Sequence, residues 1–348
     1  MRVSPGQNAT SMRAMLLERF GPPETMRLTD VPIPTIGPDD VLIKVAAVSV
    51  NRTLDLIVRA GEYARPVRLP HVLGADPSGV IVEVGANVVG RRVGDRVATS
   101  PKIRRSADPT KPVLLGVDVW GGYAEYVAVP AANTHRIPAA MDFVTATVIA
   151  RHAPLAINML RTQSGARSGE TVLIMGASGG LGCAAIQVAK HLGLTVIAAA
   201  GTEAGLDLTR RLGADHTVNY RETNLREQIL SLTGRGVDIV LENVGTAELF
   251  PLAIAAMAHN GRLVTAGAHG GGKVTLDVNT LYLKHLTIIG STVQSDEDVA
   301  RSFELAERGV LTAAIDRVMT LDRAVEAHQL VAERGNHGKV VLIPGELR

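Results

Sequence analysis

The order of apolar and polar positions divides the chain into two textures. Between 12 and about 137, short apolar or alternating runs are punctuated by Gly and Pro. Val41-Leu42-Ile43-Lys44-Val45, Gly79-Val80-Ile81-Val82-Glu83-Val84-Gly85 and Tyr123-Ala124-Glu125-Tyr126-Val127-Ala128-Val129 are three of them. Short strands with frequent turn residues predict a mostly antiparallel β domain. From 138 to 295, strand-like runs alternate with helix-length segments. Thr171-Val172-Leu173-Ile174-Met175 is continuously apolar, as a strand covered on both faces must be. Helical spacing follows at 180–192, a strand at Thr195-Val196-Ile197-Ala198-Ala199, a helix at 203–212 and a short strand at Thr217-Val218-Asn219. Further strands are expected at Val237-Asp238-Ile239-Val240-Leu241, Arg262-Leu263-Val264-Thr265-Ala266 and Leu286-Thr287-Ile288-Ile289-Gly290, with a helix at 249–257. This alternation predicts right-handed βαβ units and a doubly wound parallel sheet, so the fold class is α/β with a second, antiparallel β domain. Helices at 296–308 and 321–334 and a strand at Lys339–Ile343 then return to the first domain, which is discontinuous. The expected division is 1–137 (1–11 a loose tail, the fold starting near Met12), 138–295 and 296–348.

Gly176-Ala177-Ser178-Gly179-Gly180-Leu181-Gly182 stands where the first strand of the alternating region turns into its first helix. Glycines there permit a tight turn and close backbone approach, and the free N–H groups of the helix start face an anion. In this strand–loop–helix setting the pattern is a Rossmann dinucleotide-binding loop, with Gly176, Ser178, Gly179, Gly180, Leu181 and Gly182 as pyrophosphate contacts. An NAD site usually places an acid at the end of the second strand, for the ribose hydroxyls. Here that strand ends Ala198-Ala199-Ala200-Gly201-Thr202, and Glu203 lies past it. A small neutral end leaves room for a 2′-phosphate, with Thr202 and Tyr220 as donors and Arg221 as the charge. NADPH is therefore favoured, with NADH as the alternative. Asn243, Val244, Gly267 and Ala268 end two later strands and are candidate nicotinamide-side contacts.

Composition removes several function classes. The 348 residues exceed one ordinary hydrophobic core and fit about two domains. A net charge of +2 and 3% aromatic residues supply neither the field nor the stacking surface of a nucleic-acid binder. The single cysteine, Cys183, rules out an internal disulfide and suggests a reducing, cytoplasmic setting. No uncharged apolar run long enough for a bilayer and no secretory signal are expected, so no membrane partner is expected either.

Gly74-Ala75-Asp76-Pro77-Ser78-Gly79, Val84-Gly85, Val93-Gly94-Asp95-Arg96-Val97 and Gly121-Gly122-Tyr123-Ala124-Glu125-Tyr126 resemble the catalytic-domain signature of the medium-chain dehydrogenase/reductase superfamily. The glycine loop, Leu212-Gly213-Ala214-Asp215, Asn219-Tyr220, Ile288-Ile289-Gly290-Ser291 and Gly338-Lys339-Val340-Val341 resemble its cofactor domain and tail. The resemblance implies a GroES-like catalytic domain, a Rossmann domain, an active site in the cleft between them, and a homodimer or homotetramer. At the positions that resemble the zinc branch's ligands stand Asn51, Ala75-Asp76 and about Arg151. Pro101-Lys102-Ile103-Arg104-Arg105-Ser106-Ala107-Asp108 replaces its four-cysteine lobe. The chain thus resembles the zinc-free, quinone oxidoreductase-like branch, and no metal site is expected. Two departures stand out. Asn51-Arg52-Thr53-Leu54-Asp55 carries one residue more than the family's Val-Asn-x-x-Asp spacing. Ile149-Ala150-Arg151-His152-Ala153-Pro154-Leu155 lacks the Thr found before the domain-linking helix.

These features lead to reduction of a quinone or an α,β-unsaturated carbonyl, acceptors that delocalise the charge left by hydride without a Lewis acid. Four residues are catalytic candidates. Asn51 would bond the substrate carbonyl or the nicotinamide ribose, or is simply a turn Asn. Tyr63 resembles the proton donor of the enoyl-thioester reductase branch, or is a surface-loop Tyr. Arg151 and His152 would stabilise an oxyanion or bind an acidic substrate; alternatively Arg151 pairs with an acid such as Asp76. The basic run 102–111 is a solvated loop, or a contact for a phosphorylated substrate such as a coenzyme A ester or for a partner subunit. Enoyl-thioester reduction, and a non-catalytic nicotinamide-binding sensor, stay open as alternatives.

Overall fold

A computed structural model describes residues 10–103, 113–222, 224–268, 270–292 and 294–345. Most of the basic run 102–111 therefore lies outside the described residues. The chain forms two compact units, one taking the residues up to Arg151 together with those from Ile315 onward, the other His152–Ala314. Both boundaries differ from the expected ones at 137/138 and 295/296. The first falls inside the helix Phe143–Ile157. The second comes later because buried polar clamps hold the following segment to the second unit. Asn158 Nδ2 donates to Asp298 Oδ2 at 3.4 Å, and Gln187 bonds the Thr312 backbone on both sides, Nε2 to its carbonyl at 3.0 Å and Oε1 from its N–H at 2.8 Å.

In the first unit, the strand Asp40–Ser49 is the hub of a seven-stranded sheet. It pairs antiparallel with Ser78–Val84 and Tyr126–Pro130, and through Val48 and Ser49 with the C-terminal strand Lys339–Ile343. That last pairing is what brings the chain end back to the first unit. Lys339–Ile343 also pairs parallel with Ile315–Thr320, a strand not expected from its sequence. Its IDRVMT has few adjacent apolar residues, and only Met319 of it is buried. Among the described residues, one apolar core of this unit gathers around Met12, Leu73, Tyr123 and Leu342 and another around Ile43, Ile81 and Val129.

The second unit is a six-stranded, all-parallel sheet. Its spatial order, by first residue, is His216, Thr195, Thr171, Val237, Met257, Thr287. The chain order reverses between the Thr171 and Val237 strands, and ligands of such sheets bind at the carboxyl ends beside this switch point. Val172 to Met175 are at most 1% exposed, as the unbroken apolar run requires. The helices Leu225–Thr233 and Val278–Leu283 were not expected, the second because none of its residues is buried and no apolar stripe marks it.

Gly182 shows why the glycine loop reads as it does. A Cβ there would lie 2.5 Å from the Ala177 carbonyl oxygen and 2.6 Å from its Cα, so only glycine lets the helix pack against the loop. Gly182→Ala is therefore expected to destabilise the protein by about 1–3 kcal/mol, the cost of overpacking, and to lower Tm in a calorimetric scan. The stretch Phe143–Gln163 is long and apolar enough to cross a membrane, but 72% of its most apolar window is buried inside the protein and it carries Arg151. It is a core helix.

Candidate functional site

The second unit brings the expected cofactor residues together at the carboxyl end of its sheet. Gly176, at φ +63°, turns the chain out of the Thr171 strand, and Gly179 caps the helix Gly180–His191 without a side-chain bond, which leaves its first N–H groups open. A Cβ on Gly176 would lie 3.0 Å from Asn243 Oδ1 and 3.1 Å from Val244 Cγ2, so the loop after the Val237 strand lies directly against the glycine loop. Gly245 lies as close to Ala268, which follows Gly267. At the end of the Thr195–Ala200 strand, a Cβ on Gly201 would meet Arg221 Nε at 2.9 Å and Tyr220 Oη at 3.0 Å. One on Gly205 would meet Ser178 Oγ at 2.9 Å and Thr202 Oγ1 at 3.0 Å. Thr202 caps its helix by accepting from Gly205 N at 3.2 Å, which leaves its hydroxyl proton to donate. Serine, threonine, tyrosine and arginine groups thus surround a strand end that carries no acid.

The first unit holds a buried charged cluster centred on Asn51. Asn51 precedes a wide π turn, Arg52–Leu56, in which Leu56 N reaches Asn51 O at 3.4 Å and Asp55 Oδ2 accepts from Asn51 N at 2.7 Å. The extra residue seen in the sequence is taken up by this turn, the usual form of a one-residue insertion in a helix. Asp55 still points inward, with Oδ1 accepting from Gly74 N at 3.2 Å. The Asn51 amide donates from Nδ2 to Asp76 Oδ2 at 3.0 Å and to Ser49 O at 3.2 Å. Its Oδ1 accepts from Lys339 Nζ at 3.0 Å and from Arg151 Nε at 3.3 Å. Two cations on one side and a carboxylate on the other fix the amide's orientation. Both donors and both lone pairs are in use. The expected direct bond from Asn51 to a substrate carbonyl or a ribose therefore does not fit, and Asn51 is an orienting hub.

Arg151 combines both readings open from the sequence. It lies in mid-helix, with Nε bonded to Asn51 and 3.7 Å from Asp76 Oδ2, while its terminal amino groups have no partner among the described residues. Asp76 is held in turn by Ser49, from N at 2.9 Å and Oγ at 2.6 Å. His152 follows on the same helix, where consecutive residues diverge by about 100° and do not share a face. It falls in the second unit and not with Arg151. Tyr63 is not part of the cluster either. Arg65 hydrogen-bonds it and stands 5.7 Å from its ring centroid, itself tied to Asp118 at 3.0 Å. A phenol so engaged suits a loop-bracing role better than the expected proton donor.

Lys339 was missed, although a lysine opening the apolar run Lys339-Val340-Val341-Leu342-Ile343 was a usable signal. It is 5% exposed and donates to Val50 O at 2.7 Å as well as to Asn51. Asp55, Tyr123 and His328 were missed too, with the Tyr123 hydroxyl 3.4 Å from Asp55 Oδ2 and 3.1 Å from His328 Nε2. Burial, joined by the Asp76 charge, pushes the Asp55 carboxyl up to about 6. Burial pulls Lys339 down to about 8, with Arg151 adding to the fall and Asp76 and Asp55 opposing it.

A test follows from the sign of the Lys339 shift. The ammonium is charged below about 8 and neutral above. Loss of that charge weakens the bond to Asn51 Oδ1, which also anchors Arg151, so kcat is expected to fall as pH rises through this value. Stability runs the other way, because between about 8 and the ordinary lysine value the unfolded chain binds more protons, so unfolding becomes harder as pH rises. A falling kcat with a rising Tm, and displacement of the kcat decline in Lys339→Arg, would establish the assignment. A decline that K339R leaves in place would refute it.

Zinc does not fit this cluster. An amide already saturated, a carboxylate taken by Ser49 and Asn51, and two cations, Arg151 and Lys339, offer repulsion where a dication needs three or four N, S or O ligands. A nicotinamide dinucleotide suits the second unit, whose helix start at Gly180 keeps N–H groups open and whose second strand ends without an acid.

Comparison with known proteins agrees with this division. Residues 37–139 match the alcohol dehydrogenase GroES-like domain, and residues 180–308 match the zinc-binding dehydrogenase family. Human quinone oxidoreductase is 32% identical over 343 residues, covering 95% of this chain and 98% of that protein. An NAD-dependent alcohol dehydrogenase of Sulfolobus acidocaldarius is 33% identical over 348 residues, covering 95% and 99%. The crystal structure of an NAD-dependent alcohol dehydrogenase superposes with a TM-score of 0.90 at 37% identity, covering 96% of this chain and 100% of that one. An open helix start, an acid-free strand end and relatives matched from end to end converge on one assignment: the chain belongs to the medium-chain dehydrogenase/reductase superfamily and is an NAD(P)H-dependent oxidoreductase with a GroES-like and a Rossmann-type domain.

Proposed function

We propose that the protein is an NADPH-dependent, zinc-independent reductase that delivers hydride to a quinone or an α,β-unsaturated carbonyl. The observation that carries this reading is Arg151. Its Nε is pinned by Asn51 and Asp76, its terminal amino groups are open, and its side chain is 19% exposed. A guanidinium so anchored is a preorganised donor for an oxygen that gains negative charge. When bound, the reduced nicotinamide supplies the hydride. The chain's own task is then to hold the acceptor carbonyl on the Arg151 N–H groups, so that the electron pair displaced from the C=C bond settles on that oxygen as an enolate. A solvent proton completes the reduction. Oxidation of an unactivated alcohol would need a base to take the hydroxyl proton as hydride leaves, and the Arg151 guanidinium is not one, which disfavours it.

The relatives named for quinones and for alcohols with NAD point to different acceptors and cofactors, and the strand end supports NADPH. Gly201 lies beneath Tyr220 and Arg221, with Ser178 and Thr202 beside it. This donor set suits a 2′-phosphate and lacks the acid that would hold a free ribose hydroxyl. The test is the loss of reduced-nicotinamide absorbance with para-benzoquinone, crotonyl-coenzyme A and ethanol–NADP⁺ in parallel. Fast NADPH oxidation with the quinone supports the reading. Turnover with crotonyl-coenzyme A alone moves it to enoyl thioesters, and alcohol oxidation alone overturns it.

The working form is a homodimer on this reading. The sheet's edge strand Thr287–Gly290 leaves Ile288 exposed, and Val278, Tyr282 and Leu283 are 57–61% exposed on the helix that precedes it. An apolar edge of this kind is covered best by a second copy across a two-fold axis. Sedimentation equilibrium would read a dimer, or a tetramer if two dimers associate; a monomer at micromolar concentration would remove the proposal. The single cysteine, Cys183, is buried and pushed up to about 12 by that burial, which suits the cytoplasm but does not depend on it.

A further inference from the structure

Glu242 ends the Val237–Glu242 strand, one strand from the glycine loop at the sheet's switch point. It is 0% exposed. Its Oε1 accepts from Val244 N at 2.8 Å and Gly245 N at 2.9 Å, while Oε2 is buried with no hydrogen-bond partner among the described residues. The two residues it grips pass the constraint on. Val244 O accepts from Gly270 N at 2.6 Å, and Gly245 O accepts from Gly272 N at 3.1 Å. One carboxyl oxygen therefore roots the 243–246 loop and, through it, Gly270 and Gly272 beyond the end of the next strand. It seats that loop against Gly176, where Asn243 Oδ1 and Val244 Cγ2 would stand 3.0 and 3.1 Å from a Cβ.

In a doubly wound sheet the first three strands bind the adenosine half of a dinucleotide and the next three the nicotinamide half. The 243–246 loop, Gly270 and Gly272 belong to that second half. We propose that Glu242 is a positioning residue for the nicotinamide half of the cofactor, acting through the backbone of Val244 and Gly245 and, beyond them, through Gly270 and Gly272. This rests on the dinucleotide reading of the second unit. Burial pushes its carboxyl up, against the pull of the two amide bonds. The working atom is Oε1, an acceptor of two N–H bonds, a role that a glutamine amide reproduces and a leucine does not.

The test is calorimetric titration of NADPH and, separately, of adenosine 2′,5′-bisphosphate, which occupies only the Thr202–Arg221 side. Glu242→Leu is expected to weaken NADPH by roughly tenfold or more while leaving the bisphosphate within about twofold. Glu242→Gln is expected to restore NADPH affinity. Should E242L fail to fold, Glu242→Asp serves, since its shorter side chain withdraws from both amides and is expected to show the same selective loss. Equal weakening of both ligands, no weakening of either, or an E242Q as poor as E242L would overturn the proposal. If the wild-type protein binds NADH in place of NADPH, that failure belongs to the 2′-phosphate reading, and the same comparison runs with NADH and 5′-AMP.

Discussion

Arg151→Met is expected to lower kcat for quinone reduction by roughly 10²–10³-fold, the usual cost of one preorganised donor to a developing oxyanion. Methionine keeps the stem's bulk and removes the charge, the Nε anchor and the open amino groups at once. The effect belongs in kcat, because the interaction strengthens as the oxygen gains charge, and the NADPH KM is expected to stay within about twofold. Arg151→Lys separates charge from geometry. A single ammonium cannot both hold Asn51 and present a second set of donors, so R151K should recover only part of the loss. The cluster holds Asp55 and Asp76 against Arg151 and Lys339, so R151M also leaves the carboxylates under-compensated. Part of the change will then appear as a lower Tm. Steady-state kinetics of both variants beside their melting curves distinguish these contributions. A kcat within a factor of about three of wild type in folded R151M would remove Arg151 from the reaction.

The second large effect concerns cofactor choice. Gly201→Asp is expected to invert the preference, lowering kcat/KM for NADPH by roughly 10²-fold or more and raising it for NADH. The new Cβ would meet Arg221 Nε at 2.9 Å and Tyr220 Oη at 3.0 Å, the far ends of two flexible side chains that give way at low cost. The carboxylate would then neutralise Arg221 and occupy the position of a 2′-phosphate, while offering the acceptor that free ribose hydroxyls need. Arg221→Ser removes the attraction without adding repulsion, so it should lose NADPH affinity without gaining NADH. A G201D variant that keeps its NADPH preference would show that the phosphate is held elsewhere.

Much of this was legible beforehand. The strand Thr171–Met175 and the helix starting at Gly180 came out where the apolar run and the glycines put them. So did the strand Lys339–Ile343, because continuous apolar runs bounded by glycines admit few alternatives. The thirteen cofactor candidates also fall at one end of the second unit's sheet. They are local in sequence to strand ends, and a parallel sheet lines those ends up.

The catalytic candidates fared differently. Asn51 and Arg151 are 100 residues apart and do meet, yet what each does depends on a third partner, Lys339, 188 residues beyond Arg151. Nothing in the spacing of Asn51-Arg52-Thr53-Leu54-Asp55 shows that the added residue becomes a wide turn. In the wide turn Asp55 keeps both oxygens bonded, Oδ2 to Asn51 N and Oδ1 to Gly74 N, and the second of these partners is distant in sequence. Glu242 looked like any strand-terminal acid until its burial and its two amide partners were visible. The sequence by itself determined the parallel sheet, the glycine loop and the acid-free strand end, since these rest on periodicity and on the absence of a side chain. Only the tertiary structure decided which polar groups are spent on one another and which, like the Arg151 amino groups, have no partner among the described residues. Hydrogen-bond saturation is a property of contacts made between distant segments, and local pattern carries no record of it.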